Sequence, residues 1–161
     1  SKAALAVSLH APDDDLRNVL VPINRRHPIA ELLDACWDYA LATNAVGITF
    51  EYVMLSGVND AEAQARDLAK LLVNRPAKVN LIPFNHFPGS DYRRSTPEAI
   101  ARFRQVLQDK RIMTMTRRTR GDDIAAACGQ LAGQVSNRVR ASLGRKLHPG
   151  GDTLHPVRWQ D

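Results

Sequence analysis

The sequence predicts an α/β fold: a parallel sheet with flanking helices. Three observations lead there. Four apolar or β-branched runs of strand length recur along the 161 residues. Amphipathic stretches of helical period lie between them. Polar residues gather just after the runs, where ligands bind in parallel α/β folds.

The first run is "ALAVSLHA", Ala4 to Ala11, and a short helix is expected to start near Asp13–Asp15. "HPIAELLDACWDYALATN" follows, with Pro28 near its start. Ile29, Leu32, Leu33, Cys36, Trp37, Ala40 and Leu41 form one helical stripe there. On that stripe Cys36 reads as a buried thiol. The second run is "GITFEYVML", Gly47 to Leu55. The helix "NDAEAQARDLAKLLVN" comes next, capped by Asn59 or Asp60, with Glu62 and Arg66 four apart.

The third run is "AKVNLIPFN", Ala77 to Asn85. In "STPEAIARFRQVLQDK", Ser95 and Glu98 have capping-box spacing, and Ile100, Phe103, Val106 and Leu107 form the buried side. The fourth run is "IMTMTRRT", Ile112 to Thr119. A last helix is expected from about Asp123 towards Leu143, with Arg138, Arg140, Arg145 and Lys146 at or near its end. The tail "LHPGGDTLHPVRWQD" is rich in Pro and Gly and reads as mobile.

The apolar character of the first three runs suits strands covered on both faces. Strand–helix alternation predicts βαβ units with right-handed crossovers. The units are too few for a closed eight-stranded barrel. The chain opens Ser1-Lys2-Ala3 and runs directly into a strand, so it reads as part of a longer protein.

Hydrophobic content of 44% and charged content of 24% are those of a soluble globular protein. No apolar run approaches the roughly 20 residues of a membrane span, and no secretory signal pattern is visible. Two cysteines make neither a disulfide framework nor a metal cluster. The expected compartment is therefore a reducing cytoplasm.

The net charge is +5, and its distribution is uneven. Residues 1–110 carry 13 basic and 13 acidic side chains, whereas residues 111–161 carry 9 basic and 4 acidic. A basic C-terminal third suits a polyanion, with nucleic acid first, or else a solvated surface.

Phosphate loops, dinucleotide-binding fingerprints, zinc-protease and serine-hydrolase motifs are absent. The histidines show no metal-ligand spacing with the cysteines. Ser8 and His10 end the first run, Asn85 the third, and Arg117, Arg118 and Arg120 the fourth. Ser8, Leu9 and His10 could meet a ligand through backbone groups. The Asn85 amide could read a charged group or cap a turn. "FPGSDYRRS" is a loop whose Arg93 and Arg94 could meet RNA phosphate or water. Cys128 lies in "GDDIAAACGQLAG" among residues with almost no side chains. Small neighbours would let a planar ligand approach its sulfur, and nearby arginines would favour thiolate. Close packing of an Ala/Gly-rich helix explains the same composition, and chemistry alone leaves both readings open.

"LAVSLHAPDDDLRNVLVPIN", "EYVMLSGVND", "KVNLIPFNHFPG" and "TRRTRGDDIAAACGQLAG" together resemble the radical-SAM adenine-C2 RNA methyltransferases of the RlmN family. The resemblance runs from about Leu5 to about Val135 and is most specific in "RTRGDDIAAACGQL". The related Cfr enzymes, which methylate carbon 8, carry similar blocks. The resemblance implies the C-terminal portion of a partial (β/α)6 radical-SAM barrel. The first three strands would be the last three of that barrel, and "IMTMTRRT" a following extension. Residues 1–133 would form this half barrel with its cysteine-bearing extension, and residues 134–161 a basic helix end and tail.

The implied cofactors are S-adenosyl-L-methionine (SAM) and a [4Fe–4S] cluster. The cluster's C-x-x-x-C-x-x-C cysteines, a glycine-rich SAM segment and a second, resolving cysteine would lie upstream. The chain itself would then supply no metal ligand and would not turn over alone. Cys128 falls on the cysteine that becomes S-methylated. Ser8, Leu9, His10 and Asn85 fall on SAM contacts. The implied partners are 23S rRNA, tRNA and an electron donor, for a monomeric enzyme with no membrane association. Carbon 2 of adenine is electron-poor and cannot attack a SAM methyl, so the family methylates a cysteine sulfur first. Radical chemistry then activates that methyl group, and the base must leave its stack. A non-catalytic RNA-binding module and a generic α/β domain with a bystander thiol are the alternatives from other classes.

Overall fold

The computed structural model describes residues 4–118. The expected helix from Asp123, with Cys128, Arg120, the tail and the boundary at 133/134, lies outside the described residues. Four strands form one all-parallel sheet in the order β1 (Ala6–Ser8), β2 (Ile48–Met54), β3 (Ala77–Pro83), β4 (Met113–Thr116). The first crossover holds α1 (Asp14–Leu20), a 3-10 turn (Pro22–Arg25) and α2 (Ile29–Thr43). The second holds α3 (Glu62–Leu72) and the third α4 (Pro97–Asp109). The strands are shorter than the apolar runs: β1 stops at Ser8 and β3 at Pro83, which leaves His10 and Asn85 just beyond the strand ends.

Register sorts the side chains onto two faces. Val7, Phe50, Val79 and Thr114 are successive partners across the sheet, and so are Ser8, Glu51, Asn80 and Met115. The first row faces the helices. Ile29, Leu33 and Cys36 of α2, Leu68 and Leu72 of α3, and Phe103 and Leu107 of α4 share one core with Phe50, Tyr52, Val79 and Leu81.

The second row corrects the expectation that both faces are covered throughout. Thr49, Glu51, Lys78 and Asn80 are only half-buried, and Met113 and Met115 are exposed. Successive side chains alternate across a strand, so this row carries the polar Thr49, Glu51, Lys78 and Asn80 beside the two methionines, and no helix of the described residues covers it. Only the carboxyl-terminal part of this face is closed. There Val53, Leu55, Ile82 and Phe84 pack with Val19 and Leu20 of α1 and with Tyr92.

Helix ends differ from their expected caps. Asp13 caps α1, its carboxylate accepting the Leu16 N–H at 2.8 Å. Pro28 is the cap of α2, near its start as expected, and Asn44 closes that helix in a left-handed conformation with φ 51°. Leu41, expected on the buried stripe, is 85% exposed. Helix α3 is capped at Ala61, whose N–H donates to Gln64 Oε1 at 3.0 Å, and not at Asn59 or Asp60. Thr96 caps α4, its hydroxyl accepting the Ala99 N–H at 3.1 Å. Ser95 instead donates its hydroxyl to Asp60 at 2.8 Å. Asn59, Asp60 and Ser95 are engaged by more distant partners, which overrides their local capping preference. Among the described residues, no helix is long and apolar enough to cross a membrane.

Candidate functional site at the strand ends

The carboxyl ends of the strands bring the sequence candidates to one side of the sheet. Ser8 is the exposed last residue of β1. The Leu9 N–H extends the ladder to the Glu51 carbonyl at 3.0 Å. Its side chain is fully buried in the helix-side core, so only its backbone can face a ligand.

His10 takes a left-handed backbone, φ 61°, a conformation that costs a residue with a Cβ about 1–3 kcal/mol. It persists because the side chain is tied down. The Val53 N–H donates to His10 Nδ1 at 3.0 Å. Burial first, and the Arg17 charge second, push the imidazole pKa down to about 4. The ring is therefore neutral at pH 7, with its proton on Nε2. It acts as an internal strut and not as a general base.

Arg17 and Asn59 complete the support. Arg17 is buried and donates to three oxygens: Leu9 O at 3.0 Å, Ser8 O at 2.9 Å and Asn24 Oδ1 at 2.8 Å. Asn24 Nδ2 passes the network to Asp14 at 3.0 Å. Asp14 also accepts the Ile29 N–H, and these bonds hold its carboxyl below the usual range. Desolvation lowers the Arg17 pKa, opposed by the nearby Asp14 charge. Asn59 Nδ2 donates to the carbonyls of His10 and Val53, and its Oδ1 accepts the Leu55 N–H. Sequence reading missed Arg17, Asn24 and the bracing use of Asn59. Their roles depend on contacts between separate elements, and the only local signal was polar residues flanking two strand ends.

Asn85 lies just beyond β3 and is half-buried. Through Glu51 of β2, Ser8 is level with Asn80, so Asn85 lies two strands across and five residues further along the strand direction than Ser8. Asn85 Oδ1 accepts from Arg94 at 3.2 Å. Arg94 is placed by the loop after β3, which crosses the end of β2. Leu55 and Arg94 form an antiparallel bridge, and the Ser56 N–H donates to the Arg93 carbonyl at 2.8 Å. The Arg117 N–H donates to the Leu81 carbonyl at 2.8 Å, carrying β4 to the same end. Arg93, Arg94, Arg117 and Arg118 are all exposed there.

Cys36 is buried in the helix-side core that also holds the Leu9 side chain, and burial pushes its thiol pKa up, opposed by the nearby Arg17 charge. Among the described residues no group of three or more His, Cys, Asp or Glu could hold a metal ion. Cys128 and Arg120 lie outside the described residues.

This partial parallel α/β sheet has solved counterparts. A radical SAM methyltransferase from Sphaerobacter thermophilus is 51% identical over 80% of this chain, with a TM-score of 0.75. The match spans 38% of that protein, so the chain corresponds to well under half of its length. A domain of pyruvate-formate lyase-activating enzyme from Bacteroides vulgatus ATCC 8482 matches with a TM-score of 0.58. At 18% identity, over 71% of this chain and 67% of that one, it shows the fold alone. No protein-family model matches the chain. The fold is that of part of a radical-SAM barrel, and the likeness at 51% identity supports the radical-SAM methyltransferase family.

Proposed function

We propose that this chain is the C-terminal part of a radical-SAM methyltransferase that modifies carbon 2 of adenine in 23S rRNA and tRNA. The observation that carries the reading is the 51% identity to a radical SAM methyltransferase over 80% of the chain. The adenine-C2 target rests on the resemblance of "RTRGDDIAAACGQL" to the RlmN family, and the RNA partner also on the basic strand-end residues.

SAM suits the residues at the strand ends. Ser8 offers an exposed hydroxyl and Asn85 a partly exposed amide, while Leu9 can offer only its backbone. His10 contributes peptide groups, since its ring is committed to Val53. The [4Fe–4S] cluster does not suit this chain. Its two cysteines cannot supply three ligands, and Cys36 is buried in the core. The cluster therefore belongs to the preceding part of the protein in this reading.

Cys128 is assigned the methyl-accepting role. Its thiolate would attack the SAM methyl carbon, forming the S–CH3 bond as S-adenosylhomocysteine leaves and the thiol proton passes to solvent. Arg93, Arg117 and Arg118 would hold RNA phosphates while the adenine leaves its stack.

The test is methylation of 23S rRNA by the full-length protein, with the modified carbon mapped by mass spectrometry. 2-Methyladenosine is the expected product. 8-Methyladenosine would move the reading to the Cfr-like enzymes, and no RNA methylation by a cluster-loaded protein would overturn it.

A further inference from the structure

A cavity of about 350 Å³ opens at the amino-terminal end of the sheet, between the loop that leads into β3 and the loop that leads into β4. Leu72, Ala77 and Ile112 form its apolar floor, and Leu72 and Ile112 are buried. Arg75, Lys110 and Arg111 stand exposed around it. The cavity is remote from the strand-end site. Arg111 precedes β4 and Arg117 follows it, about 20 Å apart along an extended strand.

Both loops close in the same way. A left-handed residue with φ 61° follows each helix, Asn74 after α3 and Arg111 after α4. The Ile112 N–H donates to the Leu107 carbonyl at 3.1 Å, the closure of a Schellman motif, whose left-handed position glycine fills without strain. Asparagine tolerates that backbone. Arginine is strained in it, and such strain clusters at ligand contacts. The Arg75 guanidinium lies over the Trp37 ring, 5.3 Å from its centroid, which fixes the cation and leaves its in-plane N–H groups for another partner. Among the described residues, no ion pair or side-chain hydrogen bond engages Arg75, Lys110 or Arg111. Asp109, the acid beside the cavity, accepts from Gln105 of its own helix at 2.7 Å.

The ends of α3 and α4 bring carbonyl groups here, each helix end equivalent to about half a negative charge. With Asp109 they offset two of the three cations, so the balance stays positive by about one charge. Three donors on two loops suit a phosphate, which offers more oxygens than a carboxylate. The volume and the apolar floor suit a phosphate that carries a larger, less polar group. We propose that this cavity binds the phosphate ester of a nucleoside, with Lys110 and Arg111 on the phosphate and the sugar over Leu72 and Ile112. An RNA backbone and a free nucleotide present this same chemistry. The site is separate from the strand ends and does not depend on the methyl-transfer reading.

The test titrates the full-length protein with uridine 5′-monophosphate, a short oligouridine and uridine, none of which carries adenine. Affinity is read by calorimetry, and hydrogen exchange is followed at residues 72–77 and 109–112. A phosphate-bearing probe should slow exchange in both segments, and uridine should not. Protection by oligouridine alone would assign the site to RNA, and protection by the mononucleotide alone to a free nucleotide; either supports a phosphate site. Arg111→Gly should weaken the protecting probe about tenfold, as one lost charge-assisted hydrogen bond does. Its Tm should hold or rise, because the left-handed strain is released. Lys110→Gln, which leaves the left-handed position alone, should weaken the same probe. Lys70→Gln removes an equal charge from the exposed side of α3 and should leave Kd within about twofold. No protection by either phosphate probe, equal protection by uridine, or an equal loss in Lys70→Gln would each overturn the proposal. So would native affinity with a lowered Tm in Arg111→Gly, the mark of a cation that only complements the helix end.

Discussion

The Asn59 side-chain amide donates to the His10 carbonyl at 2.9 Å, joining residues 49 positions apart in the chain. The same nitrogen reaches the Val53 carbonyl at 2.7 Å, and Oδ1 accepts the Leu55 N–H at 2.8 Å. All these groups are buried, so none can turn to water instead. Asn59→Ala leaves two carbonyls and one N–H without partners. At about 1–3 kcal/mol for each buried unsatisfied group, the loss should be about 3 kcal/mol or more. Chemical denaturation of the two proteins measures it. A loss under about 1 kcal/mol would mean that solvent reaches these groups.

Stability should also depend on pH through His10. Its folded pKa, about 4, lies below the unfolded value of 6.5. Between those values the unfolded chain binds the extra proton, so acid favours unfolding. The contribution is fully present above pH 6.5 and is lost as pH falls towards 4, amounting to about 3 kcal/mol. His10→Asn is the informative variant, because Asn tolerates the left-handed backbone and carries an oxygen able to accept from Val53. Its denaturation midpoint should change less between pH 7 and pH 4.5 than that of the unaltered chain. Equal slopes for the two proteins would show that His10 is not the titrating group.

The sheet and helices were legible because they depend on local patterns. Apolar runs marked all four strands, and period 3.6 marked Ile29, Leu33, Cys36 and Ala40 as the buried side of α2. The open face was harder to foresee. Glu51 and Asn80 sit inside runs that read as continuously apolar, and only register shows them in one row with Ser8. The caps failed for a related reason. Asn59 and Ser95 have the right side chains to start a helix, but partners brought by other elements take them. For the candidate site, Ser8, His10 and Asn85 stood out in the sequence by their place at the close of an apolar run. Arg17 did not, because nothing local marks a helical arginine as one that turns inward onto β1.

Cys36 should behave as packing and not as chemistry. Burial raises its thiol pKa, which lowers the thiolate fraction that alkylating agents need. Iodoacetamide should modify it only after unfolding. Cys36→Ala should cost about 1–2 kcal/mol by leaving a small void, with no loss of methyl transfer by the full-length protein. Fast native-state labelling at Cys36, read by peptide mass spectrometry, would contradict this placement.

Arg93, Arg117 and Arg118 are exposed at the strand ends. Arg94 is left out of this comparison because it holds Asn85. If the other three meet RNA phosphates, replacing each with Gln should weaken RNA binding across sequences. Each arginine–phosphate pair removed should flatten the slope of log affinity against log salt by about 0.7–0.9. A triple variant with an unchanged slope would assign these arginines to solvent.

The last expectation concerns Cys128 and separates a methyl carrier from a small packing residue. In the full-length protein, Cys128→Ala should abolish methyl transfer to RNA. SAM binding should persist, because its proposed contacts at Ser8–His10 and Asn85 are untouched. A filler at this position would give the opposite pattern. Alanine is already its neighbour at 125, 126 and 127, and one more small side chain should leave turnover intact. The decisive measurement is mass spectrometry of the protein after exposure to SAM. The unaltered chain should gain one methyl group, about 14 Da, on the peptide containing Cys128, as nucleophilic capture of the SAM methyl requires. Full activity in Cys128→Ala, with SAM affinity and cluster content unchanged, would remove the methyl-carrier role.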